Sequence, residues 1–252
     1  MNEASWVIRK IAASLSPFQR IKEWRASLGA WRRFWREYRL YKSMCPPEMR
    51  PMVQDLSPFV KDNTQETPIE PVYFYQDAWA FEKICARKVK HHIDVGSHHK
   101  YVSLLSKVVP TTFVDIRPPS IKMESIAFQE ATITALPFED QSVESISSLC
   151  VVEHIGLGRY GDPLDPHGTE NAIRELCRVL APNGHLYVSL PVGETSYVAF
   201  NEGRILSRNE FLELIKPLRL SEQKYIVQGR YQNEYEPSPG MGTIGLFELT
   251  RD

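Results

Sequence analysis

The chain has 252 residues, 42% of them hydrophobic and 24% charged, which suits one folded domain of ordinary size with an appendage and excludes a disordered chain. Its net charge of −1 gives no general ground for nucleic-acid binding, yet residues 1–45 hold ten Lys/Arg against three Asp/Glu, a local +7 that the remaining residues offset with about −8. No run of about 18 apolar residues occurs and the N-terminus lacks an uncharged leader core, so neither a membrane span nor a secretory signal is expected. Cys45, Cys85, Cys150 and Cys177 form no C-x-x-C pair and are expected to be reduced packing residues in a cytoplasmic protein.

The spacing of Trp6, Val7, Ile11 and Leu15 predicts a helix over residues 1–15, and Ser16-Pro17-Phe18-Gln19 has the residue types of a second helix start. From there Phe18, Ile21, Trp24, Leu28, Trp31, Trp35, Tyr38 and Tyr41 recur every three or four residues, an aromatic stripe flanked by Arg25, Arg32, Arg33, Arg36 and Arg39. Two readings fit. Either the stripe packs on the rest of the chain or on a second copy, or residues 1–42 lie on an anionic membrane at its cytoplasmic face. Gly29 is a candidate break in that helix. Residues 1–45 therefore form a basic aromatic appendage. Six prolines between Pro46 and Pro71 mark residues 46–76 as a linker, and residues 77–252 form the main domain, entered by a short helix over Asp77–Arg87.

His92–Val95 is a short strand closed by Gly96. Ser97 is a candidate cap for a helix with Val102, Leu105, Val108 and Val109 on its apolar face, and Thr111–Asp115 is a second β-branched run ending in an acid. This is the opening βαβ unit of a nucleotide-binding α/β fold. Asp115, 19 residues after Gly96, stands about where such folds set a carboxylate on a ribose diol. Strands are expected at Ile126–Ala131 and Val143–Cys150. Thr169 is a candidate cap for a helix with Ala172, Ile173, Leu176, Cys177 and Leu180 on one face, and Pro182-Asn183-Gly184 turns it into a strand at His185–Leu190. Ser207-Arg208-Asn209-Glu210 reads as a capping box. Arg219–Gln228 and Thr243–Thr250, with no helix between them, predict an antiparallel hairpin at the sheet edge.

Four pieces in this order resemble the class I S-adenosylmethionine-dependent methyltransferases. Asp94-Val95-Gly96-Ser97 is similar to the family's D-x-G-x-G turn, and Val114-Asp115 to its second-strand acid. Residues 131–140 (ATITALPFED) resemble G-D-A-x-x-L-P-F-x-D, and residues 178–186 (RVLAPNGHL) resemble R-V-L-K-P-G-G-x-L. The likeness spans roughly residues 90–250. It implies a Rossmann-like α/β fold, mostly parallel with an antiparallel edge hairpin, and S-adenosylmethionine as cofactor held by Asp94, Gly96, Ser97, Asp115, Thr132 and Cys150. The chain departs from the pattern in having a single turn glycine, in His98-His99-Lys100 where small residues are usual, and in Thr132 where an acid is usual.

Val152-Glu153-His154 after the fourth strand also recurs in that superfamily. For a hydroxyl acceptor, His154 and Glu153 are the candidate bases, His154 first because an unperturbed imidazole titrates near about 6.5. The stretch Gly156–Gly161 is a literal G-x-G-x-x-G, but Pro163 and Pro166 forbid the helix a dinucleotide fold requires there, which disfavours a nicotinamide-dependent oxidoreductase. It reads instead as an active-site loop whose Arg159, Tyr160, Asp162, Asp165 and His167 suit phosphate and sugar. This loop also resembles a methyltransferase-like family of unassigned function found with bacterial surface-polysaccharide genes. That likeness implies O-methylation of a sugar, glycan or sugar nucleotide or, as the alternative, an inactive scaffold in a membrane-associated glycan-assembly complex. His91, His92, His98 and His99 have no carboxylate or cysteine partner at ligand spacing, so no metal is expected, and the oligomeric state is left open.

Overall fold

The computed structural model describes residues 17–252, with side chains from residue 27 onward. The expected helix over 1–15, the Ser16 cap and the side chains of Phe18, Ile21, Trp24 and Arg25 lie outside the described residues. The chain divides into two compact units, Met1–Pro68 and Ile69–Asp252. In the first, helix α1 (Pro17–Met44) runs unbroken through Gly29. Trp31, Phe34, Trp35 and Tyr38 follow one another edge to face, with ring centroids 5.4–5.8 Å apart. The proline-rich segment folds back along this helix, held where Arg33 Nη2 donates to Val60 O at 3.1 Å and Tyr38 Oη to Pro51 O at 3.1 Å. Among the described residues no helix is long and apolar enough to cross a membrane.

The second unit opens with α2 (Pro71–Arg87), six residues earlier than the sequence pattern suggested. Pro71 is here the first helical residue, where a missing N–H costs nothing, and the Glu70 carboxylate caps Tyr73 N. The elements that follow are β1 (His92–Val95), α3 (His99–Leu105), β2 (Thr111–Asp115), β3 (Ile126–Glu130) and β4 (Val143–Leu149). After them come α4 (Gly168–Val179), β5 (Leu180–Gly193), β6 (Tyr197–Ala199), β7 (Gly203–Ser207), α5 (Arg208–Leu214), β8 (Arg219–Val227), β9 (Arg230–Gln232) and β10 (Thr243–Thr250). The sheet order is β3-β2-β1-β4-β5-β10-β8-β9. The first five strands are parallel, and β10 inserts antiparallel between β5 and β8.

Each face of the sheet carries its own apolar layer. Trp79, Ile84, Tyr101 and Leu105 of α2 and α3 fill one, while Ile173, Leu176 and Phe211 of α4 and α5 fill the other. Two expected caps act elsewhere. Ser97 Oγ accepts from Leu149 N of β4, and Thr169 Oγ1 donates to Val152 O, so the first hydroxyl ties its turn to the end of β4 and the second ties the start of α4 to the turn after β4. The helix after Gly96 stops at Leu105, which leaves Val108 exposed in the turn beyond it. The Ser207 cap is as expected: its side chain accepts from Glu210 N.

Candidate functional site

The carboxyl ends of β1, β2, β3 and β4 border a cavity of about 480 Å³, a volume usual for small-molecule sites. Its floor is the β1–α3 turn. Gly96 has φ +71°, a conformation open to glycine, and a Cβ there would stand 3.0 Å from Val151 Cγ1. Asp94 lies beneath the turn and does not line the cavity. It is fully buried, with Oδ1 accepting from Ser97 N at 3.1 Å and Oδ2 from Ser147 Oγ. His92 extends the chain between Ser145 Oγ at 2.7 Å and Ser147 Oγ at 2.8 Å. Burial raises the Asp94 carboxyl to about 7, against hydrogen bonds from Ser147 and Ser97 that lower it. Burial also lowers His92 to about 3. The sheet centre thus holds a polar network with His92 neutral and Asp94 only partly ionised near pH 7, which fixes the turn without placing a full charge under it.

Asp115 ends β2 half-buried, with Oδ1 taking Arg117 N at 2.7 Å. Thr132 and Ile133, just past β3, and Cys150, just past β4, complete the wall. Thr132 is exposed and spends its hydroxyl on Thr134. The Cys150 thiol donates to Gln76 Oε1 at 3.1 Å, and burial pushes it well above the ordinary thiol range, so it is a packing thiol and no nucleophile. Of the six residues expected to hold a cofactor, Gly96, Ser97, Asp115, Thr132 and Cys150 line the cavity. The sequence reading missed two side chains from α2. The buried Gln76 carboxamide also takes Ser189 Oγ at 2.8 Å, and Tyr73 packs on His98, the imidazole standing where small residues are usual, with centroids 5.0 Å apart. Both precede β1, where the proline-rich composition suggested only linker.

Opposite Asp115 a short 3₁₀ turn, Val152–His154, sets His154 on the lining. Its Nδ1 stands 3.4 Å from Arg159 Nη1 and its Nε2 stands 3.7 Å from Glu153 Oε1. Burial, then the Arg159 charge, lower His154 to about 4. This corrects the sequence argument, which preferred His154 for an ordinary imidazole pKa. Glu153 lies behind it, only 2% exposed, with Oε2 in no hydrogen bond among the described residues. Burial raises it to about 8, so at neutral pH both members of the pair are uncharged. Gly203, at the start of β7, closes over them: a Cβ there would meet Glu153 Cγ at 3.3 Å, His154 Nδ1 at 3.5 Å and Met241 Cε at 2.5 Å.

The loop after this turn has no helix, as its prolines require. Asp162 accepts from Gly156 N at 2.6 Å and Tyr160 N at 3.3 Å, and both Asp162 and Tyr160 line the cavity. Arg159 reaches Glu202 O at 2.8 Å and lies over the Tyr160 ring. Arg159, Asp165 and His167 stand off the lining. The Asp165 carboxylate caps the start of α4 through His167 N and Asn171 Nδ2, and His167 faces Glu170 on the surface. The residue that shapes this loop is Arg204 of β7, buried and donating to the carbonyls of Ile155 and Asp165 and to Thr169 Oγ1. Nothing local in the sequence marks it.

A family model described as "Caenorhabditis protein of unknown function, DUF268" matches residues 119–215. No curated protein matches the chain. Among solved structures, the N-methyltransferase NodS from Bradyrhizobium japonicum WM9 is similar with TM-score 0.53 and 13% identity, over 73% of this chain and 98% of that one. NodS in complex with S-adenosyl-L-homocysteine gives TM-score 0.52 and 14% identity over 72% of this chain and 88% of that one. At such identities the likeness is one of fold: residues 69–252 have the Rossmann-like methyltransferase architecture, a mostly parallel sheet ending in an antiparallel strand.

Proposed function

We propose that this chain is an S-adenosylmethionine-dependent methyltransferase acting on an oxygen of a sugar, glycan or sugar nucleotide. The observation that carries the reading is one cavity with a Gly96 turn and the Asp115 carboxylate on one side and His154 on the other. The residues fit the cofactor. Gly96, in a positive-φ turn packed against Val151, lines the cavity with backbone alone, and Asp115 spends Oδ1 on its own loop, leaving Oδ2 for a diol. Ile133 and Leu149 give an apolar wall for a base. The S-adenosylhomocysteine held by NodS supports the same ligand class here. When bound, the cofactor supplies a methyl group on a sulfonium centre for in-line displacement, a reaction in which positioning provides most of the rate.

The chain's own residues do the rest. Asp94 and Ser147 hold the turn rigid. Arg204 keeps the loop at 155–165 folded, so that His154, Tyr160 and Asp162 face the cavity. His154, neutral through the physiological range, has its one lone pair on Nδ1 if that nitrogen accepts from Arg159 at 3.4 Å, a long contact that the acceptor's hydroxyl must displace to pass its proton there. With a pKa near 4 it is a weak base, so it takes the proton as the oxygen is consumed rather than before. The reading is tested by incubating the full chain with methyl-labelled S-adenosylmethionine and a panel of sugars, sugar nucleotides and glycans, with amines as controls. Label on a carbohydrate oxygen supports it. Label on amines alone contradicts the acceptor assignment, and cofactor binding without transfer to any class favours the inactive-scaffold alternative.

A further inference from the structure

Two guanidiniums that the proposed chemistry does not use meet at Tyr160, a residue of the cavity lining. Arg117, two residues past the β2 acid, lines the cavity with its Cζ 5.1 Å from the centroid of the Tyr160 ring. Arg159 lies over the same ring with its Cζ at 5.2 Å. They come from different elements, the end of β2 and the loop after β4. Neither pairs with a carboxylate among the described residues. Arg159 donates only to Glu202 O and toward His154 Nδ1. Asp162 faces the same cavity, but its two oxygens are turned to the N–H groups of Gly156 and Tyr160. Two cations each about 5 Å from one ring raise the local positive potential, and a bound anion lowers that cost. The ring provides a flat support that holds both planar groups in place, and planar guanidiniums match the oxygens of phosphate and carboxylate.

We propose that Arg117 and Arg159, seated on Tyr160, form an anion-binding site, and that the methyl acceptor carries a phosphate or carboxylate group there. The proposal rests on the methyltransferase reading for the word acceptor but not for the site itself. Arg159 also reaches toward His154, so an anion held by the pair sets the rest of the acceptor beside the candidate base. This makes the two arginines binding and positioning residues and narrows the acceptor from any sugar to an acidic or phosphorylated one.

The test is calorimetric titration of the full chain, saturated with S-adenosylhomocysteine, with inorganic pyrophosphate in one arm and glucuronate in the other. The wild type should bind one of them, the tighter arm identifying the group, with affinity falling as salt rises. Arg117→Gln and Arg159→Gln should each weaken binding about ten-fold or more, and the Lys variants should recover part of it, because charge remains but the fork is lost. Both arginines are exposed, so melting temperatures should not move. Equal affinity for wild type and the double Gln variant, or binding in neither arm, overturns the site. The two readings separate cleanly. S-adenosylhomocysteine binding without anion binding removes the anion site alone, and anion binding without S-adenosylhomocysteine binding removes the methyltransferase reading alone.

Discussion

Glu153 and Glu248 are each 2% exposed, yet the chain treats them in opposite ways. Glu248, on β10, faces three basic groups: Arg87 Nη2 at 2.8 Å, Lys83 Nζ at 3.8 Å and, off line for a hydrogen bond, His185 Nδ1 at 3.1 Å. Lys83 also reaches Glu222, which takes Trp79 Nε1 at 3.2 Å. This cluster staples α2 onto β8 and β10, and α2 in turn delivers Tyr73 to the cavity and sets Gln76 behind its Cys150 wall. Among the described residues Glu153 makes no ion pair with Lys or Arg, has neutral His154 Nε2 at 3.7 Å and leaves one oxygen without a partner. A buried acid with cations around it holds a fold together, whereas a buried acid without them, next to a histidine on a cavity wall, costs stability that function must justify.

The largest contrast should appear in turnover. With a transferring acceptor identified, His154→Ala should lower the rate about 10²–10⁴-fold and leave cofactor affinity nearly intact. The acid limb of the wild-type rate profile should lie near 4, because His154 stays neutral down to that pH. A limb near the ordinary imidazole value, or an unchanged rate in the variant, would remove His154 from the chemistry.

Next in size is the structural side. Glu248→Ala leaves Arg87 and Lys83 without their shared carboxylate and should cost about 2–4 kcal/mol in urea unfolding, with cofactor affinity unchanged. Parallel losses of stability and affinity would mean that the two regions are one. Glu153→Gln should show the reverse. The folded-state pKa near 8 lies above the unfolded value of about 4.5. As pH rises, the unfolded chain gives up this proton first, so wild-type Glu153 costs progressively more stability between pH 4.5 and pH 8. The Gln variant should therefore gain on the order of 3–4 kcal/mol over wild type between pH 5 and pH 8. An equal difference at both pH values would contradict the buried neutral carboxyl.

The comparison also marks what the sequence could reveal. β1, β2 and the Gly96–Asp115 spacing were legible because a short β-branched strand, a glycine and a terminal acid are local signals. The edge arrangement followed from two strands with no helix between them. Features set by distant partners were not legible. Ser97 and Thr169 have the composition of helix caps, but the first meets a stronger claim at the end of β4, 52 residues away, and the second at the turn after β4, 17 residues away. Pro71 resembled linker until its place at the first turn of α2 was known. The β6–β7 hairpin and Arg204, which fold the loop around His154, have no periodicity to announce them. The shifts at Glu153 and His154 are products of burial, which no residue type carries by itself.

The central claim is that the cavity between Asp115 and His154 holds the cofactor. Titration of the 252-residue chain with S-adenosylhomocysteine tests it without needing an acceptor. One site per chain is expected, and Asp115→Ala should weaken binding by about 1.5–3 kcal/mol, the range for hydrogen bonds to a charged group, without lowering the melting temperature. No heat and no thermal shift with millimolar ligand, or identical affinity in the Asp115→Ala variant, would contradict it.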